Sequence, residues 1–166
     1  MFDMVMKGMT RIAVSGHRGL PLRTVRLIDE AIREMLRAHA PHLVGLSCLA
    51  DGADQIFAQA ILDLGGTLEA VIPAQRYRDG LPGDSHARYD ELLSRAAVIH
   101  RLDYTESTSE SHMVASARML DSADSLLAVW DGLAARGYGG TADVVAEARQ
   151  RGVPVHVVWP TGSRRD

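Results

Sequence analysis

Short apolar segments alternate along this chain with segments whose apolar residues recur every three or four positions. The apolar segments are almost continuously hydrophobic, which is typical of strands that are buried on both faces of a sheet. Strands are predicted at six places: 11–15, 43–47, 68–72, 97–102, 125–130 and 154–159. Helices are predicted between them, at 21–40, 51–64, 84–96, 111–123 and 142–151. This alternation predicts an α/β fold: a single Rossmann-like three-layer domain with a mostly parallel sheet flanked by helices.

The domain organisation follows from the same pattern. The chain has 166 residues, 46% of them apolar, which suffices for one well-buried core and is short for two. We find no internal repeat and no segment with the composition of an interdomain linker. We therefore expect a nucleotide-binding domain over 10–160, with a flexible N-terminal segment at 1–9 and a flexible tail at 161–166.

Glycine-bearing turns follow three of the predicted strands. The first corner is Ser-Gly-His-Arg-Gly at 15–19, the second is Ala-Asp-Gly-Ala-Asp at 50–54, and the third is Gly-Gly-Thr-Ala-Asp at 139–143. Right-handed crossovers bring the carboxyl ends of parallel strands to one edge of a sheet, so the three corners should lie on the same edge. That edge is where open α/β sheets bind their ligands.

The third corner carries the strongest binding signal. The strand before it ends at Asp131-Gly132, and Gly139-Gly140-Thr141 then opens a helix. Glycine pairs stand where backbone must approach something closely, and a helix N-terminus attracts anions. Thr141 is predicted to cap the helix and to offer its hydroxyl and N–H to a phosphate. The alternative is a tight turn without a ligand.

The first corner matches neither standard phosphate-binding motif. Gly16 and Gly19 alone do not make the dinucleotide fingerprint, and no Gly-Lys-Ser or Gly-Lys-Thr follows them. Ser15, Gly16, His17 and Arg18 nevertheless stand where a phosphate or the edge of a base would be met. The alternative is that they are solvated turn residues.

The second corner is acidic and suits a phosphate poorly. Asp51 and Asp54, either side of Gly52, favour capping of the helix that follows, a gain of about 1 kcal/mol. A functional alternative is that one carboxylate accepts hydrogen bonds from ribose hydroxyls. Asp51 or Asp131 would then hold the ribose or the base. Carboxylate or histidine ligands at metal spacing do not follow, so no metal site is predicted.

The composition restricts the binding partners and the cellular location that we expect for this protein. A net charge of −3 argues against a protein dedicated to duplex nucleic acid. No run approaches the 18–20 apolar residues that span a bilayer, so no membrane contact is expected. The only cysteine, Cys48, excludes an internal disulfide and fits a reducing, cytoplasmic location. The apolar helix faces would suit a homodimer.

Taken in order, several segments resemble a known series: Ser15-Gly16-His17-Arg18, Leu49–Gln55, Ile72-Pro73, Ala128–Gly132 and Gly139–Asp143. They resemble the Rossmann-like SLOG superfamily, which includes the lonely-guy (LOG) phosphoribohydrolases, the DprA/SMF DNA-processing proteins and the YpsA-like proteins. The resemblance covers residues 11–160 and is closest to small YpsA-like or uncharacterised SLOG members. It implies a nucleotide or nucleotide-derived ligand at the strand ends.

The enzymatic branch of this superfamily hydrolyses the N-glycosidic bond of nucleoside 5′-monophosphates. It uses a Gly-Gly-x-Gly-Thr-x-x-Glu segment and an arginine on the preceding helix, whose place Arg118 would take. The glutamate does not carry over, because this chain has Val144 there and Asp143 one position early. A step of one helical residue turns a side chain by about 100°. The resemblance therefore favours binding, with Asp143 and Asp131 as the candidate catalytic residues if the domain is an enzyme.

The leading expectation is a sensor or processing domain that binds a small-molecule nucleotide or nucleoside phosphate, with no other cofactor. The ligand-binding candidates are Ser15, Gly16, His17, Arg18, Asp51, Gly52, Arg118, Asp131, Gly132, Gly139, Gly140 and Thr141. One alternative is a phosphoribohydrolase-type enzyme. Another is binding of single-stranded DNA, as in DprA-like proteins, although few aromatic residues are available for stacking.

Overall fold

The computed structural model describes residues 8–165. Most of the segment expected to be flexible at 1–9 lies outside the described residues. The strands are β1 (Thr10–Gly16), β2 (Leu43–Ser47), β3 (Thr67–Ile72), β4 (Val98–Arg101), β5 (Ser125–Val129) and β6 (Val155–Val157). The α-helices are α1 (Leu22–Arg37), α2 (Ala53–Asp63), α3 (His86–Ser94), α4 (Ser109–Ser122) and α5 (Thr141–Gln150). Two short 3₁₀ turns, Arg78–Gly80 and Gly83–Ser85, precede α3.

The six strands form one sheet in the order β4-β3-β2-β1-β5-β6, and every neighbouring pair is parallel. The prediction of a single Rossmann-like α/β domain is confirmed. The strand order reverses next to β1, because β2 to β4 extend to one side of it and β5 and β6 to the other. The corners that follow β1 and β5 are therefore neighbours in space, at the switch point where such sheets bind ligands.

Helices cover both faces of the sheet and make three layers. On one face, Ile28 of α1 and Phe57 of α2 pack with Val14 of β1. On the other face, Met119 of α4 and Val144 of α5 pack with strands that include Leu46 and Ala128. All five residues of β2 and of β5 are buried, as their unbroken apolar sequence predicts.

The two predicted helix caps are wrong. Helix α2 begins after Gly52, which has a φ of +84°, and no side chain caps it. Gly52 is required there because a Cβ would lie 2.6 Å from the carbonyl oxygen of His17. At α5 the capping position belongs to Gly140, so Thr141 is the first helical residue. At Gly52 the close contact with the backbone of His17 leaves no room for a side chain that could cap α2.

Candidate functional site

A cleft of about 240 Å³ opens at the carboxyl edge of the sheet. Seven of the predicted binding residues line it: Ser15, Gly16, His17, Arg18, Gly139, Gly140 and Thr141. The structure therefore brings the first and third corners together. Of the second corner only Ala50 and Asp54 line the cleft, whereas Asp51 and Gly52 do not. Asp131, Gly132 and Asp143 also lie outside the lining.

The N-terminus of α5 forms one wall of the cleft. The N–H groups of Asp143 and Val144 bind the carbonyl oxygen of Gly140. Within the part of the chain that the structure describes, the N–H groups of Thr141 and Ala142 have no acceptor. Both residues line the cleft, so two backbone donors and the positive end of the helix dipole are present at this wall.

The turn before α5 is held in place by its own residues. Gly139 has a φ of +87°, and a Cβ there would lie 2.9 Å from the carbonyl oxygen of Ser109. Oδ2 of Asp143 accepts a hydrogen bond from the Gly139 N–H at 2.9 Å. The candidate catalytic carboxylate Asp143 thus braces the turn. Gly140 has extended backbone, with a φ of −72°.

Three arginines line the cleft: Arg18, Arg136 and Arg165. Nε of Arg18 donates to Oδ1 of Asp51 at 2.8 Å, and Oδ2 of the same carboxylate accepts the Gly19 N–H at 3.1 Å. Asp51 therefore ties the second corner to the first. Arg165 reaches the cleft from the segment after β6, with Nη1 3.4 Å from Oδ2 of Asp131.

His17 and Asp131 join the first corner to the end of β5. His17 is only 5% exposed, and its Nε2 accepts a hydrogen bond from the Asp131 N–H at 3.0 Å. The same Nε2 lies 3.2 Å from Oδ1 of Asp131. Burial and then Arg165 lower the pKa of His17, and Asp131 opposes this change. Burial alone would raise the pKa of Asp131, but the Leu133 N–H and the nearby His17 and Arg165 lower it overall. The pair fixes the shape of the corner and supplies an anion that holds Arg165.

A buried acid forms the floor of the cleft. Asp54 is 9% exposed, and its Oδ2 accepts the Ala50 N–H at 3.3 Å. Burial raises the pKa of Asp54 to about 7, with a further increase from Asp51 and opposition from the Ala50 hydrogen bond and Arg18. Burial likewise raises the pKa of the Cys48 thiol, which lines the same floor as an unreactive thiol.

Aromatic rings border this floor. Tyr77 is buried, and burial raises the pKa of its hydroxyl. The ring of His112 meets Tyr77 edge-on at 5.5 Å between centroids, and its Nε2 lies 2.7 Å from Oγ of Ser107. Both rings line the cleft.

The structure does not bring Arg118 to this cleft. Helix α4 turns His112, Ser116 and Met119 toward the cleft, whereas Arg118 lines a second cavity of about 180 Å³. There Nη1 and Nη2 of Arg11 bind the carboxylate of Glu69 at 3.0 and 3.1 Å.

Four residues that line the cleft were not predicted from the sequence as site residues: Tyr77, His112, Arg136 and Arg165. Only Arg136 carried a signal, since it lies in the glycine-rich loop before α5.

Residues 8–165 contain no cluster of three histidine, cysteine or acidic residues that could hold a metal ion. In the same range no helix is long and apolar enough to cross a membrane.

Comparison with known proteins defines the fold. No family model and no curated protein sequence matches the chain. Among solved structures, DNA processing protein A (DprA) from Streptococcus pneumoniae superposes with a TM-score of 0.70 at 16% identity, over 98% of this chain and 54% of that one. The chain has the fold of DprA. This confirms the fold that the resemblance of the corners implied. The chain spans about half the length of the S. pneumoniae protein.

Solved structures of similar fold belong to proteins with different ligands. DprA from Helicobacter pylori, described by its mode of binding single-stranded DNA, matches with a TM-score of 0.69 at 16% identity, over 98% of this chain and 71% of that one. The Moco carrier protein of Chlamydomonas reinhardtii matches with a TM-score of 0.56 at 19% identity, over 90% of this chain and 76% of that one. The fold alone therefore does not identify a ligand for this chain.

Proposed function

We propose that this SLOG-fold domain binds a nucleotide or nucleoside phosphate in the cleft, with the phosphate at the N-terminus of α5. One observation carries the proposal: the free N–H groups of Thr141 and Ala142 line a cleft that three arginines also line. A helix N-terminus with unpaired donors is an anion site, and arginine adds bidentate hydrogen bonds to phosphate.

The other corner residues have supporting roles in this proposal. Gly139 and Gly140 keep the backbone close to the phosphate, and Arg136 and Arg165 neutralise it. Ser15 and His17 form the facing wall. Asp51 acts indirectly, because it holds Arg18 and Gly19 in place.

Ligand addition should raise the melting temperature. A nucleotide at about a hundred times its dissociation constant stabilises the fold by about 2.7 kcal/mol. Each kcal/mol moves the melting temperature of a domain of this size by about 2–4 °C. A thermal-shift screen of mono-, di- and cyclic nucleotides measures this shift, and free base released in the same samples reports hydrolysis. A flat response to every nucleotide contradicts the proposal.

Thr141→Pro should weaken nucleotide binding and keep the fold. Proline is favoured at the first position of a helix, and Gly140 has the extended φ of −72° and ψ of 178° that precede proline well. The change deletes one N–H that meets the phosphate, a charge-assisted hydrogen bond worth about 1.5–3 kcal/mol, or about ten- to a hundredfold in affinity. Titration calorimetry measures the loss.

Thr141→Val is the matched variant, since it removes the hydroxyl and keeps the N–H. It should bind more tightly than Thr141→Pro. Equal affinities in the parent and in Thr141→Pro would place the phosphate elsewhere.

Single-stranded DNA is the second candidate ligand, favoured by the match to DprA and by one feature of the surface. The loop between β5 and α5 carries Tyr138, which is 66% exposed, next to cleft residues Arg136 and Gly139. An exposed aromatic ring beside cations is what base stacking needs. Under this alternative, an oligothymidylate would bind more tightly than thymidine monophosphate, and Tyr138→Ala would weaken only the oligonucleotide.

A further inference from the structure

The carboxyl group of Asp54 is unusual among the groups that line the cleft. The residue is about nine-tenths buried, yet its side chain makes one hydrogen bond, in which Oδ2 accepts the Ala50 N–H at 3.3 Å. Within the described part of the chain, Oδ1 has no partner. Oδ1 is not fully buried, and Asp54 lines the cleft, so Oδ1 is accessible from the cleft.

The fold does not explain why this position carries an acid. The backbone carbonyl of Asp54 accepts the Ser47 hydroxyl at 3.1 Å, so that contact does not depend on the side chain. A single N–H donor from Ala50 would be satisfied equally by a neutral amide oxygen. A buried carboxylate with one hydrogen bond costs free energy unless further donors reach it. Asp54 lines the cleft, where a bound ligand can supply the further donors.

The position of Asp54 relative to the phosphate wall suggests which part of a ligand supplies them. Asp54 follows β2 and Thr141 follows β5, and β1 lies between these two strands. Two strand spacings are about 10 Å. The acid and the phosphate wall therefore come to the cleft from strands on either side of β1, as the phosphate and the base lie on either side of a ribose.

The surroundings of Asp54 suit a flat, largely apolar group. Cys48, Pro73, Tyr77 and Met119 are all buried and line the same cleft as Asp54. A base can pack against such a wall while its polar edge meets the acid, whereas ribose hydroxyls would lose water there without enough partners.

We propose that Asp54 reads the base of the bound nucleotide by accepting a hydrogen bond from an exocyclic amino group. The inference rests on the proposed function and adds the ligand class: nucleotides whose base carries an amino group, in preference to those that lack it. Asp54 is then a specificity-determining residue, since a site with an unpaired buried acceptor discriminates against a ligand that lacks the matching donor.

Two nucleotide pairs test the preference, because each pair differs by one amino group. GMP is compared with IMP, and AMP with purine riboside 5′-monophosphate, by titration calorimetry at pH 8, above the pKa of about 7 at which the Asp54 carboxyl loses its proton. The parent protein should bind the amino-bearing member of at least one pair about tenfold more tightly, which is one hydrogen bond to a charged group. Asp54→Asn keeps an acceptor for the Ala50 N–H and should abolish the preference while still binding phosphate. Asp84→Asn, on an exposed acid of the loop before α3, should keep the preference.

The other outcomes separate the two proposals. Nucleotide binding with no preference in either pair, or a preference that Asp54→Asn retains, overturns the role of Asp54 and leaves the phosphate site standing. Greater sensitivity to 2′-deoxy substitution than to the amino group also overturns it, because the acid would then read the ribose. Absence of binding by all four nucleotides and their deoxy forms overturns both.

Discussion

Replacing Asp54 with asparagine should stabilise the domain at pH 8 by a few kcal/mol. The carboxyl has a pKa of about 7 in the folded chain, against about 3.9 in an unfolded one. The folded state therefore holds a proton that the unfolded state has released, and stability falls as the pH rises from about 4 to 7. A difference of about three pKa units corresponds to about 4 kcal/mol, which asparagine does not lose because it does not ionise.

Urea unfolding between pH 4 and pH 8 measures this effect. The parent should lose stability across that interval more steeply than Asp54→Asn, and the two should converge near pH 4. His17 and the other titrating groups are common to both proteins, so their contributions cancel in the difference. Asp84→Asn controls for the removal of a negative charge. Parallel pH profiles for the parent and Asp54→Asn would show that the acid is not buried in the way described.

Gly16→Ala should destabilise the fold by about 3 kcal/mol or more, at the upper end of overpacking effects. Gly16 ends β1 where α2 and β5 meet it. A Cβ at this position would collide with Cβ of Ala53 and lie 2.7 Å from Cβ of Val129. Ala53 and Val129 are both completely buried, so neither can move into free space. Gly80→Ala is the control, because a Cβ there has no atom within 4 Å.

A second substitution tests the stated cause of that loss. Ala53→Gly removes the atom with which the new Cβ would collide. In the double variant the two changes should be non-additive, with part of the stability restored. Denaturant melts of the four proteins complete the cycle. Additive losses would mean that the contact with Ala53 is not the cause of the destabilisation.

The parts of the site predicted from sequence are those that follow a strand directly. The unbroken apolar runs determine a parallel sheet, and the crossover rule then places the corners at Gly16 and Gly140 on one edge. Side-chain contacts between residues far apart in the sequence were not predicted. Asp51 was expected to cap α2, but its two oxygens bind Arg18 and Gly19 instead. Such pairings depend on three-dimensional distances that no local spacing encodes.

Arg118 and Arg165 illustrate the same difference. Arg118 lies on the expected helix, yet the rotation of α4 directs it to the second cavity, away from the cleft. A shift of one or two positions along the helix changes the face that a residue occupies, and periodicity locates that face only approximately. Arg165 lies in the segment 161–166, where the expected flexible tail remains a prediction. It reaches the cleft because the Arg164 N–H donates to Oγ1 of Thr24 at 2.9 Å.

The path of the segment after β6 affects how the domain can be joined to anything else. Arg165 stands at the rim of the cleft beside Asp131, so a chain continuing past this point starts at the mouth of the site. β1 begins at Thr10, on the opposite edge of the sheet. A fluorophore, an affinity handle or a fused domain attached upstream of β1 is therefore joined to the domain far from the mouth. The same attachment downstream of Arg165 would compete with a ligand for the entrance.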